Sequence, residues 1–162
     1  MRSRGSLLAL ILALPALFPA TAAFALDGSL DLSAQSAYIW RGMVLNDRPV
    51  FQPSFSLYEG PWSASVWSNI NLTSDNGYEG VASEVDYWLA YTFGGKNVDL
   101  TCTYYAYTFP HTASVSTQEV WANLTFKSLP MTPSLTAIRD VKAIKGWYFL
   151  LTASQNLGLL KT

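Results

Sequence analysis

The chain has 162 residues and a formal net charge of −1, and it is 50% hydrophobic, 14% aromatic and only 13% charged. Soluble domains average about 25% charged residues, so charge is scarce, while the aromatic content excludes an intrinsically disordered chain. No lysine and arginine cluster is available to neutralise phosphates, which excludes a typical nucleic-acid binder. The single cysteine, Cys102, excludes an intramolecular disulfide and a multi-cysteine metal site.

Residues 1–25 have the pattern of a secretory signal peptide. Two arginines precede a short apolar stretch, and an Ala-Phe-Ala motif ending at Ala25 fits the small-x-small cleavage rule. The apolar stretch breaks at Pro15, short of the roughly 20 residues that a membrane-spanning helix needs. We therefore expect export through a cleaved signal peptide, with residues 26–162 forming one β-barrel domain.

Beyond residue 25, apolar and polar side chains alternate with a period of two, which predicts β-strands with one apolar and one polar face. In the segment 83–93, Tyr87 and Leu89 fall on one face. Glu84 and Asp86 fall on the opposite face. Segments of this kind are near the 9–11 residues that a tilted strand needs to cross a bilayer. The eight predicted strands are 29–40, 51–59, 61–72, 83–93, 98–109, 117–127, 133–140 and 146–156.

The links between the predicted strands alternate in length. Long links at 41–50 and 73–82 alternate with tight turns at 60–61 and 94–97, as in outer-membrane barrels, which have short periplasmic turns and longer external loops. Strands in lipid must close into a barrel, because an open edge leaves backbone groups unpaired. The sequence thus predicts an all-β, antiparallel up-and-down meander of about eight strands that forms an outer-membrane β-barrel. Aromatic residues near the strand ends fit an interfacial girdle: Trp40, Tyr58, Trp62, Tyr91, Phe93, Phe109 and Trp147.

If the apolar faces meet lipid, the polar faces line the interior of the barrel. Two interpretations stay open: a cation-preferring path, because rings of carboxylates favour cations, or a structural network in which carboxylates pair with tyrosine, glutamine and arginine. His111 follows a proline in a predicted loop, and no nucleotide, zinc or calcium motif is present. We therefore expect no catalytic residue, no metal site and no cofactor. The candidate interior residues are Asp31, Arg41, Glu84, Asp86, Asp99, Glu119 and Asp140.

A function from a different class is a secreted or periplasmic, lipocalin-like β-barrel that holds an apolar ligand. Such a barrel has its apolar face inside and needs a charged exterior. The scarcity of charged residues favours lipid outside instead. Solubility of the processed chain without detergent distinguishes the two.

Five short motifs follow one another along about residues 30–156. They are Ser36-Ala37-Tyr38-Ile39-Trp40-Arg41-Gly42, Gln52-Pro53, Glu84-x-Asp86, Ser116-Thr117-Gln118-Glu119 and Lys145-Gly146-x-Tyr148. These motifs resemble the TorF-type porins, a family of small bacterial outer-membrane β-barrel proteins. The resemblance implies a location in the bacterial outer membrane, with membrane lipid and the barrel-insertion machinery as partners. It also implies passage or binding of small hydrophilic solutes of unknown identity, and no nucleic acid.

The C-terminal sequence departs from this family. Such barrels commonly end in an aromatic residue that the insertion machinery reads, whereas this chain ends in Leu-Leu-Lys-Thr. The resemblance therefore implies a barrel that is truncated at its C-terminus. We expect a gap between the first and the last strand, and an irregular tail over 157–162.

Overall fold

The computed structural model of the protein describes residues 26–75 and 79–155. The predicted signal peptide, 1–25, and the predicted tail, 157–162, lie outside the described residues. No helix in the two described ranges is long and apolar enough to span a membrane. The strands are β1 (Asp27–Gln35), β2 (Tyr38–Trp40), β3 (Met43–Asn46), β4 (Val50–Glu59), β5 (Trp62–Asn71), β6 (Ala82–Gly94), β7 (Val98–Thr108), β8 (Thr117–Phe126), β9 (Ser134–Asp140) and β10 (Trp147–Thr152).

Eight of these strands form one antiparallel sheet in the order β1-β4-β5-β6-β7-β8-β9-β10. Each strand of the sheet pairs with the next strand of the sheet along the chain, and a separate hairpin of β2 and β3 interrupts this order between β1 and β4. The predicted all-β, up-and-down meander of eight strands is therefore confirmed. Within the described residues, β1 and β10 are the two edges of the sheet and do not pair with each other. The sheet is open, and the predicted gap is present.

Connections at the two ends of the sheet differ in length. At one end, the short-turn end, β4 and β5 are joined by residues 60–61, β6 and β7 by residues 95–97, and β8 and β9 by the longer connection 127–133. Gly95 is required in the second turn, because a Cβ there would lie 2.4 Å from the carbonyl oxygen of Val98. At the other end, the long-loop end, the connections run over 36–49, 72–81, 109–116 and 141–146.

The two faces of the large sheet differ in chemistry and in exposure. One face carries exposed apolar side chains, among them Leu89 at 49% and Phe149 at 65% exposure. The opposite face carries buried polar side chains, among them Glu84, Asp86 and Glu119. The period of two thus places apolar groups outward and polar groups inward. Other exposed residues of the outward face are Leu30, Leu32, Phe55, Tyr87, Phe93, Tyr104, Val120, Leu124, Leu135 and Leu151.

The inward face is buried because the sheet curls around it. Ser56, Ala90 and Thr136 lie on β4, β6 and β9, and their exposures are 7%, 6% and 4%. Apart from the short β2–β3 hairpin, the described chain offers no second layer to cover these residues. The inward side chains of the curled sheet therefore cover one another, and the natural twist of β-strands favours this curvature.

The first predicted strand, 29–40, is too long. β1 ends at Gln35, and Tyr38–Trp40 instead forms one arm of the β2–β3 hairpin within the connection 36–49. The expected place of Trp40 in an interfacial girdle is wrong as well, because its ring packs 6.4 Å from that of Tyr107 on the inward face. Period two alone cannot distinguish a continuous strand from a strand followed by a hairpin.

Candidate functional site in the polar interior

The β2–β3 hairpin turns at Arg41 and Gly42, both of which have positive φ, 48° and 80°. Trp40 pairs with Met43 across this two-residue turn, and two successive positive φ values are typical of the type I′ hairpin turn. Glycine adopts this conformation freely, whereas arginine does so only when the surrounding structure compensates the strain. The contacts of the Arg41 side chain provide that compensation.

Arg41 forms a two-pronged ion pair with Glu119 on β8. Its Nη1 donates to Oε1 at 2.9 Å, and its Nη2 donates to Oε2 at 2.7 Å. The Tyr107 hydroxyl and the Trp121 indole N–H also donate to Oε2, each at 2.9 Å. Arginine matches a carboxylate in this geometry better than lysine does. Arg41, Tyr107, Glu119 and Trp121 are called the Glu119 cluster below.

Aromatic rings surround the Arg41 guanidinium. Its Cζ lies 4.2 Å from the ring centre of Trp40, 4.6 Å from that of Tyr148 and 5.8 Å from that of Trp121. A cation over the face of an aromatic ring is stabilised by the ring's charge distribution. The interior thus already surrounds one cation, the guanidinium of Arg41.

The rest of the hairpin is fixed to β5 and β6. The Tyr38 ring packs 5.6 Å from that of Trp67, and its hydroxyl donates to Glu84. Burial raises the pKa of this tyrosine, and the Glu84 carboxylate raises it further, so Tyr38 remains protonated and acts as the donor. The Asn46 amide donates to the Asn71 side-chain oxygen at 2.9 Å. The hairpin therefore lies inside the curled sheet, against its wall.

Glu84 and Asp86 are neighbouring inward residues of β6, and they are called the β6 carboxylate pair below. Both are 6% exposed. Trp67 on β5 and Tyr107 on β7 lie opposite Asp86 in the sheet. Among the described residues, no lysine or arginine forms an ion pair with either carboxylate. One oxygen of Asp86, Oδ1, is buried without a hydrogen-bond partner, which is costly for a carboxylate.

Of the remaining candidate residues of the interior, Asp31 and Asp99 lie apart from these groups, whereas Asp140 is the cross-strand neighbour of Glu119. Asp31 is exposed, because β1 is an edge strand. Asp99 lies beside the short turn and forms an ion pair with Lys127 at 2.8 Å. Asp140 accepts the Thr117 hydroxyl at 2.6 Å and three backbone N–H groups of the loop 142–145. Asp99 and Asp140 therefore act as local anchors of their connections.

A stack of aromatic rings fills the interior on the short-turn side of the Glu119 cluster. The Tyr105 ring lies 5.1 Å from that of Trp88 and 4.5 Å from that of Trp121, at an angle of 22° in both cases. These residues come from three neighbouring strands, and offset stacking of this kind is favourable.

At the long-loop end, a cleft of about 540 Å³ lies between the hairpin and the connection 109–116. Its wall combines the carboxylate of Glu84 with the side chains of Asn69, Tyr107 and Phe109. Clefts of this size accommodate small-molecule ligands, which are positioned by a few polar groups among apolar ones. Within the ranges that the structure describes, no three His, Cys, Asp or Glu residues are grouped to hold a metal ion.

Sequence reasoning missed the hairpin and, with it, the position of Trp40. A signal was available, because Arg41-Gly42 stands between two short apolar runs, and glycine in a two-residue loop is typical of a hairpin. It also missed the role of Trp121, whose indole N–H donates to Glu119 two residues earlier on the same strand.

The chain matches no protein-family model, no curated protein and no solved structure. Its function is therefore inferred from the chemistry of its own side chains.

Proposed function

We propose that the chain is an outer-membrane β-barrel of the porin type, related to the TorF-type porins that its motifs resemble, and that it binds or passes small hydrophilic solutes. The observation that carries the proposal is the inverted distribution of side chains on the sheet. Glu84, Asp86 and Glu119 are buried inside, whereas large apolar residues such as Leu89 and Phe149 are exposed outside. An outward apolar band and a polar interior are typical of membrane barrels.

The exposed apolar residues occur on many strands, which supports lipid as their environment. Leu32, Leu89, Leu124 and Leu151 come from β1, β6, β8 and β10, and all are exposed. Monomeric soluble proteins rarely expose a contiguous apolar surface of more than a few hundred Å². An apolar surface that extends across the sheet is stable when hydrocarbon covers it.

The polar interior supports a hydrophilic solute rather than an apolar one. A lipocalin-like barrel, the alternative considered above, would hold its ligand against inward apolar side chains. The inward positions of this sheet include Asn69, Asn71 and Thr136, which are buried and polar. Asn69 donates to Asn71, and Thr136 accepts from Asn123, so these groups form a polar network rather than an apolar lining.

Membrane insertion also requires that the two sheet edges are paired. β1 and β10 are unpaired within the described residues, and an unpaired backbone group in hydrocarbon costs several kcal/mol. The proposal therefore requires that both edges form hydrogen bonds in the bilayer, either with each other or with further strands.

The test is fractionation of the full chain after expression with its signal peptide in a Gram-negative host. We expect the protein in the outer-membrane fraction, resistant to a urea wash. We also expect it to migrate faster on a gel without boiling, because a folded barrel remains compact in detergent. A monomeric protein that stays in aqueous solution without detergent would contradict the proposal.

A charged substitution on the outward face sharpens this test. Leu89 lies near the middle of β6, so Leu89→Arg should place a charge near the centre of the bilayer and lower the stability of the inserted protein by about 2–4 kcal/mol. The matched control is Val115→Arg, because Val115 is equally apolar and 73% exposed but lies in the connection 109–116. Unfolding experiments in lipid vesicles measure the stability of both variants. Equal effects of the two substitutions would argue against lipid contact at Leu89.

A further inference from the structure

The β6 carboxylate pair lacks a counter-charge. Glu84 and Asp86 are two residues apart on one strand, so their side chains leave the same face about 7 Å from each other. Both are 6% exposed, and Oδ1 of Asp86 has no hydrogen-bond partner. Buried carboxylates are normally paired or hydrogen-bonded, because an isolated buried charge is unfavourable. Oδ1 of Asp86 therefore has an unfilled hydrogen-bond position that the described side chains do not occupy.

The groups around this pair are those that stabilise a cation. Tyr38 donates to Glu84 from the hairpin. Trp67 and Tyr107 are the cross-strand neighbours of Asp86, and their rings present faces that attract positive charge. Glu119, another buried carboxylate of the inward face, is itself negative and is already paired with Arg41. The surroundings of the pair thus combine negative charge with aromatic surface.

In the Glu119 cluster, a carboxylate and aromatic rings together bind a cation. There, a guanidinium lies against one carboxylate and close to three aromatic rings. The β6 carboxylate pair has the same ingredients, namely carboxylates and aromatic neighbours, but no arginine or lysine of the described chain reaches it.

A route to Glu84 exists from the long-loop end. The cleft of about 540 Å³ is lined by Glu84 together with Tyr38 and Tyr107. Asp86 does not line the cleft, and it is the next inward residue of β6 beyond Glu84. The cleft is also lined by Trp40, so occupancy should change tryptophan fluorescence.

We infer that the β6 carboxylate pair binds a small organic cation, an ammonium or guanidinium group of a solute, which enters through the cleft. Aromatic walls suit an organic cation, whereas Ca²⁺ and Mg²⁺ need about six oxygen ligands. The inference rests on the proposed function, because it takes the cleft as part of the path of the solute. It deepens that function by naming the class of solute.

The experiment measures binding by the full chain folded in detergent micelles. The probes are n-butylammonium and methylguanidinium chloride, and the matched controls are sodium butyrate and n-butanol at the same ionic strength. Calorimetry and tryptophan fluorescence report binding. We expect both cations to bind, with butyrate and butanol giving no signal.

Substitutions then locate the site. Asp86→Asn and Glu84→Gln should each weaken cation binding by about tenfold or more, because each replaces a negatively charged acceptor by a neutral one. Asp86→Glu keeps the charge and should retain more affinity than Asp86→Asn. The control is Glu59→Gln, which removes an exposed carboxylate at the end of β4 and should leave the affinity unchanged. The unboiled gel mobility shows that each variant is folded.

Two results would overturn the inference: no binding of either cation by the folded protein, or equal binding by the parent and by Asp86→Asn. The first result would mean that no cation compensates the pair, and the second would mean that the cation binds away from Asp86. Failure of the proposed function gives a different outcome, because a protein that stays in aqueous solution and still binds n-butylammonium at Asp86 contradicts the membrane location alone.

Discussion

The Glu119 cluster and the β6 carboxylate pair are two regions of one interior that treat buried carboxylates differently. Glu119 receives four hydrogen bonds, two of them from an arginine of the same chain. Asp86 is buried to a similar extent, yet one of its oxygens has no partner. Complete pairing fixes the hairpin against the wall, whereas incomplete pairing leaves a site open to an external cation. Glu119 therefore has a structural role, whereas the β6 carboxylate pair has the binding role inferred above.

The largest effect should come from breaking the Glu119 cluster. Arg41→Met keeps the length of the side chain but leaves Glu119 as an uncompensated buried charge, so the free energy of unfolding should fall by about 3–5 kcal/mol. Urea unfolding in detergent micelles, followed by tryptophan fluorescence, measures it. The control is Arg139→Met, because Arg139 only lies over the Trp147 ring, at 5.3 Å, and such contacts are worth about 0.5–1 kcal/mol at exposed sites. Similar losses of unfolding free energy in the two variants would show that the ion pair of Arg41 stabilises the protein no more than the ring contact of Arg139 does.

An intermediate effect is expected at the tyrosine of the same cluster. Tyr107→Phe removes one hydrogen bond to Glu119 and retains the ring, so the free energy of unfolding should fall by about 1.5–3 kcal/mol, the range for hydrogen bonds to charged groups. Tyr104→Phe is the control, since Tyr104 is 46% exposed on the outward face. The same urea titration compares them. A Tyr107→Phe variant as stable as the Tyr104→Phe variant would show that the cluster holds without this bond.

The smallest change in the free energy of unfolding is expected at the β6 carboxylate pair, where a substitution should not destabilise the protein. Asp86→Asn removes a buried charge that lacks a full set of partners, so without added amine the free energy of unfolding should stay the same or rise by about 1 kcal/mol. Asp140→Asn is the matched control and should be destabilising, because the Asp140 carboxylate accepts the Thr117 hydroxyl and three backbone N–H groups. If both variants lose stability equally, Asp86 has partners after all and is no different from Asp140.

The candidate site was only partly predictable. The period of two identifies Glu84, Asp86 and Glu119 as residues of the polar face, since adjacent side chains on a strand point in opposite directions. Nothing in that pattern separates Glu119 from Asp86. The distinction comes from Arg41, which is 78 residues from Glu119 in the chain and reaches it only because the hairpin folds inward.

What the sequence by itself determined is the eight strands of the large sheet, their up-and-down order and the chemistry of their two faces, because side-chain alternation and turn residues act over a few neighbouring positions. The tertiary structure alone decided where the connection 36–49 lies and which carboxylate receives the arginine. These features depend on the curvature of the whole sheet and on contacts between residues far apart in the chain. A local pattern of polar and apolar residues contains no information about either.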